Sequence, residues 1–206
     1  MKRILAALAG SLLFLSASSL WAQYGWSSSS QQQGDVGFAV GTLVAPSSSS
    51  ASGSYYPQTL SGGTYLTVSG DFLFFHHFGV GSEVSWRASR NLYQGYQPFR
   101  PILYDFNAIY APPLGKHASL ELLGGFGGIS THFYTQNYSC NLFTCTNYAT
   151  VNHALGDVGA GIKLYVHGGV FLRPEFREYF IHDNYEFSSG HATRAGVTLG
   201  YTFGRD

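Results

Sequence analysis

Near the C-terminus, Ser189 and His191 stand two residues apart with Glu186 just upstream. These are the residue types of a hydroxyl nucleophile, its general base and an orienting carboxylate. The run Phe187-Ser188-Ser189-Gly190 has the make-up of a loop, where such closeness in sequence carries little weight. The chain holds 8 histidines. His76 and His77 are adjacent, so their side chains diverge, whereas His132, His153, His182 and His191 fall at strand ends or in loops and could approach one another. None has the helical or cysteine-paired spacing of a zinc site, so no metal site is assigned. Gly124-Gly125-Phe126-Gly127-Gly128 resembles a phosphate loop only superficially, because the Lys-Ser/Thr pair and the following helix are missing. It is read instead as making room for large neighbours. Cys140 and Cys145 are spaced C-x4-C; in an oxidising compartment a disulfide is the first reading and a metal pair the alternative. No catalytic residue and no cofactor is assigned.

The charged residues show a more regular pattern. Asp71, Glu83, Arg87, Asp105, Glu121, Asp157, Lys163, Arg173, Glu175, Arg177 and Arg194 each sit in a run of about ten residues with period-two alternation, on the face opposite the apolar side chains. Eight such runs are read as strands: Asp35 to Val44, Tyr65 to Phe75, Phe78 to Ala88, Ile102 to Tyr110, Ala118 to Ser130, Ala154 to Tyr165, Val170 to Ile181 and Thr193 to Phe203. In the last, Ala195, Val197, Leu199, Tyr201 and Phe203 oppose Arg194, Thr198 and Thr202.

The connections alternate in length. Short ones fall at His76-His77, Pro112 to Lys116 and His167-Gly168-Gly169; long ones span Ala45 to Thr64, Ser89 to Pro101, Thr131 to His153 and His182 to Ala192. Short turns at one end and long loops at the other are the pattern of a transmembrane barrel with both chain ends on the short-turn side. A water-soluble barrel would put its apolar residues inside and its charges outside, the reverse of this assignment. The expected fold is therefore all-β: an eight-stranded antiparallel up-and-down transmembrane barrel with a charge-paired lumen. Pro174, inside the seventh strand, has no N–H for a closed ladder, and a bulge or register break is expected there.

Composition agrees. Charged residues make up 11%, aromatics 17%, and the formal net charge is +0. That excludes a nucleic-acid binder, which needs a basic face, and a disordered chain, which lacks aromatics. Met1-Lys2-Arg3, the apolar stretch Ile4 to Leu15 and Leu20-Trp21-Ala22 read as a cleavable signal peptide over residues 1–22. Residues 23–34 read as a flexible polar leader and 35–206 as the barrel domain.

With an export signal, eight alternating runs, this loop asymmetry and the closing strand Ala195 to Gly204 (AGVTLGYTFG), the chain resembles the small outer-membrane β-barrels of Gram-negative-type bacteria, the OmpA-barrel and OmpX-like group. The group usually ends on an aromatic residue read by the barrel-assembly machinery; here Gly204-Arg205-Asp206 follows Phe203. The resemblance implies a bacterial outer-membrane location, contact with outer-membrane lipid and lipopolysaccharide, and a monomer. It implies a structural, surface-exposed role with outward loops as the binding surface for an unknown extracellular ligand. The alternative is a lipid A-modifying enzyme at the rim, with Ser189 and His191 as its residues. An eight-stranded interior is filled by side chains, which disfavours an open pore. The longest loop, Thr131 to His153, carries Phe133, Tyr134, Tyr138, Phe143 and Tyr148, and is expected to be the recognition surface, stiffened by its cysteines; the alternative is that these aromatics anchor the barrel at the outer membrane interface.

Overall fold

The computed structural model describes residues 32–46, 59–75, 77–140, 145–187 and 189–204. Among these residues nine strands form: β1 (Gln33–Val44), β2 (Thr64–Phe75), β3 (Phe78–Arg87), β4 (Asn91–Tyr93), β5 (Gln97–Tyr110), β6 (Ala118–Cys140), β7 (Cys145–His167), β8 (Val170–Ile181) and β9 (His191–Phe203). Eight close into an antiparallel ring in the order β1, β2, β3, β5, β6, β7, β8, β9, with β9 back on β1. The short β4, which the sequence reading did not foresee, only folds back on the start of β5.

Closure leaves no sheet edge inside the ring, the condition for strands in lipid. Stepping across Cα partners from Phe180 through Gly156, Phe126, Phe106, Ser82, Gly70, Val36 and Tyr201 returns to β8 at Val170, ten residues from the start. That stagger goes with strands tilted by roughly 40° to the axis, so each residue advances about 2.5 Å along it.

Alternation puts Val36, Phe38, Val40, Phe106, Phe126, Val158, Phe176 and Val197 on the outer wall, all exposed, while Asp35, Glu83, Asp105, Glu121 and Arg194 are buried in the lumen. An exposed apolar belt around a charged interior is stable only against lipid. β1 takes in Gln33 and Gly34, the last two residues of the stretch read as leader; residues 1–31, with the expected signal peptide, lie outside the described residues.

Three expectations need correction. First, Thr131 to His153 is no loop: β6 and β7 each run 23 residues and pair through Phe133↔Ala149 and Tyr134↔Tyr148 to Cys140↔Cys145. Beyond the bilayer a strand has no apolar face to show, so its alternation disappears from the sequence. Second, Pro174 causes no register shift. The β7–β8 ladder has the same register at Gly161↔Glu175 and Leu164↔Leu172 and merely skips the two positions between, where the missing N–H would have paired. Third, the glycine run is divided: Gly128 does make room for a large side chain, the Tyr104 ring, but Gly125 and Gly127 make room chiefly for the backbone of β5. A Cβ on Gly127 would lie 1.9 Å from the carbonyl oxygen of Tyr104, so β6 approaches β5 more closely than other residues allow.

Candidate functional site

The eleven charged residues expected in the lumen all point inward and are largely or fully buried. Four cations bind seven carboxylates into one continuous network. Lys163 Nζ donates to Asp35 and lies 3.0 Å from Glu121 Oε2. Arg173 binds Glu121, Asp71 Oδ2 at 3.0 Å and Glu175 Oε2 at 3.0 Å. Arg194 Nη2 reaches Glu175 Oε1 at 2.8 Å, and its Nη1 binds Glu83. Arg177 Nη2 lies 2.9 Å from Glu83 Oε2, and its Nη1 lies 3.3 Å from both Asp105 Oδ1 and Asp157 Oδ2. Tyr179 donates its hydroxyl to Glu83 at 3.2 Å. Asp35 and Tyr179 were absent from the expected set, although both have inward parity. Arg87, which was in it, stands above the network; Tyr65 lies near it, and two of its nitrogens are buried without a hydrogen-bond partner. Such ion pairs add little net stability, but a one-residue slip would leave buried charges unpaired, so they fix the register.

Apolar layers close the network at both ends. Toward the short turns lie Leu73, Ile109, Ala111 and Leu123. Toward the long loops a larger cluster includes Leu60, Leu103, Leu155 and Ile181. Its aromatic centre is Phe99, Phe133, Phe187 and Tyr93, with Phe187 supplied by the β8–β9 connection. The His153 Nε2–Glu186 Oε2 pair, 2.9 Å, ties that connection to β7.

The expected loop surface is therefore divided. Phe133 is 7% exposed and belongs to the lumen plug, because it shares parity with Ile129 and Thr131, so it is removed from the binding surface. Tyr134 is half-buried beneath Arg90, Tyr148 stacks on His132, and Tyr138 is 71% exposed near the hairpin tip. Phe143 lies outside the described residues. Cys140 and Cys145 form a disulfide. Beyond Phe99↔Phe133 on one side, and on the other beyond Leu155↔Ile181 and the His182 N–H that donates to the Ala154 carbonyl, the hairpin's ladder pairs only with itself among the described residues.

Ser189 and His191 do not form a nucleophile–base pair. Ser189 is buried and its hydroxyl donates to the carbonyl oxygen of His191 at 2.7 Å, while the His191 ring faces outward with Nδ1 3.0 Å from Glu178 Oε1. Glu186 is engaged by His153. The one cluster of carboxylates close enough to share a metal ion among the described residues, Asp35, Asp71 and Glu121, is already occupied by Lys163 and Arg173.

A closed eight-stranded ring with a lipid-facing belt and an ion-paired lumen defines a membrane-spanning barrel. No family model and no curated protein sequence matches the chain. Solved structures do. Neisserial surface protein A matches with a TM-score of 0.57 at 9% identity, over 84% of this chain and 98% of its own. A major outer membrane protein from Thermus thermophilus matches at 0.56 and 11%, over 84% and 99%. Ail, the attachment invasion locus protein of Yersinia pestis, in complex with the heparin analogue sucrose octasulfate, matches at 0.53 and 13%, over 84% and 97%. The chain thus has the fold of the small eight-stranded outer-membrane barrels of bacteria.

Proposed function

We propose that this chain is a bacterial outer-membrane barrel that displays the β6–β7 hairpin outside the cell as a recognition surface. The observation that carries this is the hairpin itself. From Thr131 to Cys140 the strand continues past the apolar belt for nearly ten residues, a reach of about 20 Å. Its tip is joined by a disulfide, it shows Tyr138, and its flanking edges carry no further strand among the described residues. Rigid aromatic contacts and free strand edges are two established routes to protein recognition. Two of the similar structures belong to proteins named for surface location or attachment, which supports the same reading.

In this reading residues 1–22 direct export and are removed, 23–34 form the leader, and the barrel-assembly machinery inserts a monomer with both ends in the periplasm. The lumen holds the barrel in register and does not transport solute. No catalytic role is proposed, since the rim serine is turned away from the rim histidine.

The test is a binding screen of the refolded barrel against envelope lipids and host or matrix ligands, with sucrose octasulfate included. It is repeated on a variant in which Tyr134 to Ala149 is replaced by a tight glycine-containing turn. The expected result is a variant that still inserts and migrates differently before and after boiling but loses the binding. Unchanged binding by a folded variant would rule the hairpin out as the principal site.

A further inference from the structure

Basic residues are scarce on this barrel, and their placement is uneven. Among the described residues Arg87, Lys163, Arg173, Arg177 and Arg194 are buried in the lumen, and Lys116 lies in the β5–β6 turn at the short-turn end. The two others, Arg90 and Arg100, both stand outside the lumen at the long-loop end, in one sector formed by β3, β5 and β6. The Arg90 guanidinium carbon lies 3.7 Å from the centre of the Tyr134 ring. Arg100 is directly opposite His132 across the β5–β6 ladder, and its Nη2 donates to the carbonyl oxygen of Ala88 at 3.1 Å. The Arg100 Nε–H is buried and has no hydrogen-bond partner. His132 stacks on Tyr148 with ring centres 4.4 Å apart. Burial, and then the neighbouring Arg100 charge, hold the His132 imidazole below its ordinary pKa.

The acids at this end lie elsewhere. Glu178, Asp183 and Glu186 fall on the β8–β9 side, and each has a histidine partner at 2.9 to 3.1 Å. Neither arginine has a carboxylate partner among the described residues. Height is the remaining clue. Arg100 and His132 occupy the first outward-facing positions beyond Ile102 and Ser130, and Ile102 is paired with the lipid-facing Trp86. Below them the wall continues through Tyr104 and Phe106, both exposed. A pair of guanidiniums immediately above an apolar wall matches an amphiphile with an anionic head. The planar guanidinium fork also suits the oxygens of a phosphate.

We propose that Arg90, Arg100 and His132 form a binding site for the phosphate of an anionic lipid headgroup in the outer leaflet, with the lipid's acyl chains lying along Trp86, Ile102, Tyr104 and Phe106. This rests on the proposed outward orientation of the long-loop end. The test uses the full barrel in nanodiscs of phosphatidylcholine doped with phosphatidic acid, whose headgroup is a bare phosphomonoester. Native mass spectrometry counts the lipids retained on release into detergent. Wild type should keep phosphatidic acid in preference to phosphatidylcholine. Arg90→Gln/Arg100→Gln should lose that retention by about tenfold or more, the ratio for losing charge-assisted hydrogen bonds. Arg100→Lys should keep part of it, and Lys116→Gln all of it. Equal retention by wild type and the double variant overturns the site. Retention of sucrose octasulfate but not of phosphatidic acid overturns the lipid as its ligand. The boiled-versus-unboiled gel shift of each variant reports separately on whether the membrane-barrel reading itself stands.

Discussion

Substituting Val197 by arginine measures the lipid belt directly. Val197 is 50% exposed on the outer wall of β9, between Val40 and Pro174 on the adjacent strands. Outward-facing residues of β9 run from Thr193 to Phe203, ten steps along the strand, which at about 2.5 Å each span roughly 25 Å, the height of a barrel's apolar band. Val197 is therefore about 10 Å from one margin and about 15 Å from the other. An arginine side chain reaching about 7 Å cannot bring its charge to either headgroup layer. Neither neighbour offers a carboxylate. The expected cost is ~2–4 kcal/mol, the scale for a cation on the lipid face at mid-depth. Val44 faces the same lipid but is paired with Thr193 at the margin, so Val44→Arg should cost only ~0–1 kcal/mol. The assay is reversible urea unfolding in phosphatidylcholine vesicles, followed by tryptophan emission. Equal costs at the two positions, or a harmless Val197→Arg, would refute the assignment of this face to lipid.

Three further outcomes follow from packing. Glu83→Ala removes the shared partner of Arg177, Arg194 and Tyr179 and should cost ~3–5 kcal/mol in the same vesicle assay, because two buried guanidiniums each lose one of their carboxylates and the Tyr179 hydroxyl its acceptor. Gly127→Ala should cost at least ~3 kcal/mol or prevent folding, since its Cβ would meet Tyr104 backbone, whereas Gly34→Ala, with nothing within 4 Å, should be neutral. Replacing Cys140 and Cys145 by serine should leave barrel stability unchanged while hastening proteolysis at the hairpin tip, read by limited digestion of protein in vesicles. A large loss of barrel stability would show that the hairpin is coupled to the ring.

How far the sequence could be read depended on what surrounds each strand. Within the bilayer, lipid on one side and ions on the other force strict alternation, and β8 was found with both ends correct. Beyond Tyr134 on β6 and before Val151 on β7 the strands have no lipid on one side and no ion-paired lumen on the other, so polar residues fall at either parity and the strands read as loop. Asp35 stands at the very start of the alternating run, where its side of the strand is hardest to see, although it shares parity with Gly37 and Ala39. Phe133 was grouped with the aromatics around it by composition, when parity with Ile129 would have turned it inward. The encounter of Arg90 with Tyr134 joins residues far apart in the chain and left no local pattern to find.

The lumen network also bears on the order of assembly. Its acids come mainly from the first strands: Asp35 on β1, Asp71 on β2, Glu83 on β3, Asp105 on β5 and Glu121 on β6. All four of its cations come from the last three, Lys163 on β7, Arg173 and Arg177 on β8 and Arg194 on β9. A nascent sheet of β1 to β6 would thus carry five carboxylates with none of their cationic partners, and such a sheet cannot cross hydrocarbon alone. The Lys163–Asp35 contact joins residues 128 apart in sequence. Neutralisation therefore arrives only when the C-terminal strands close against the N-terminal ones, so insertion and closure must occur together, with no hairpin-by-hairpin intermediate in the membrane.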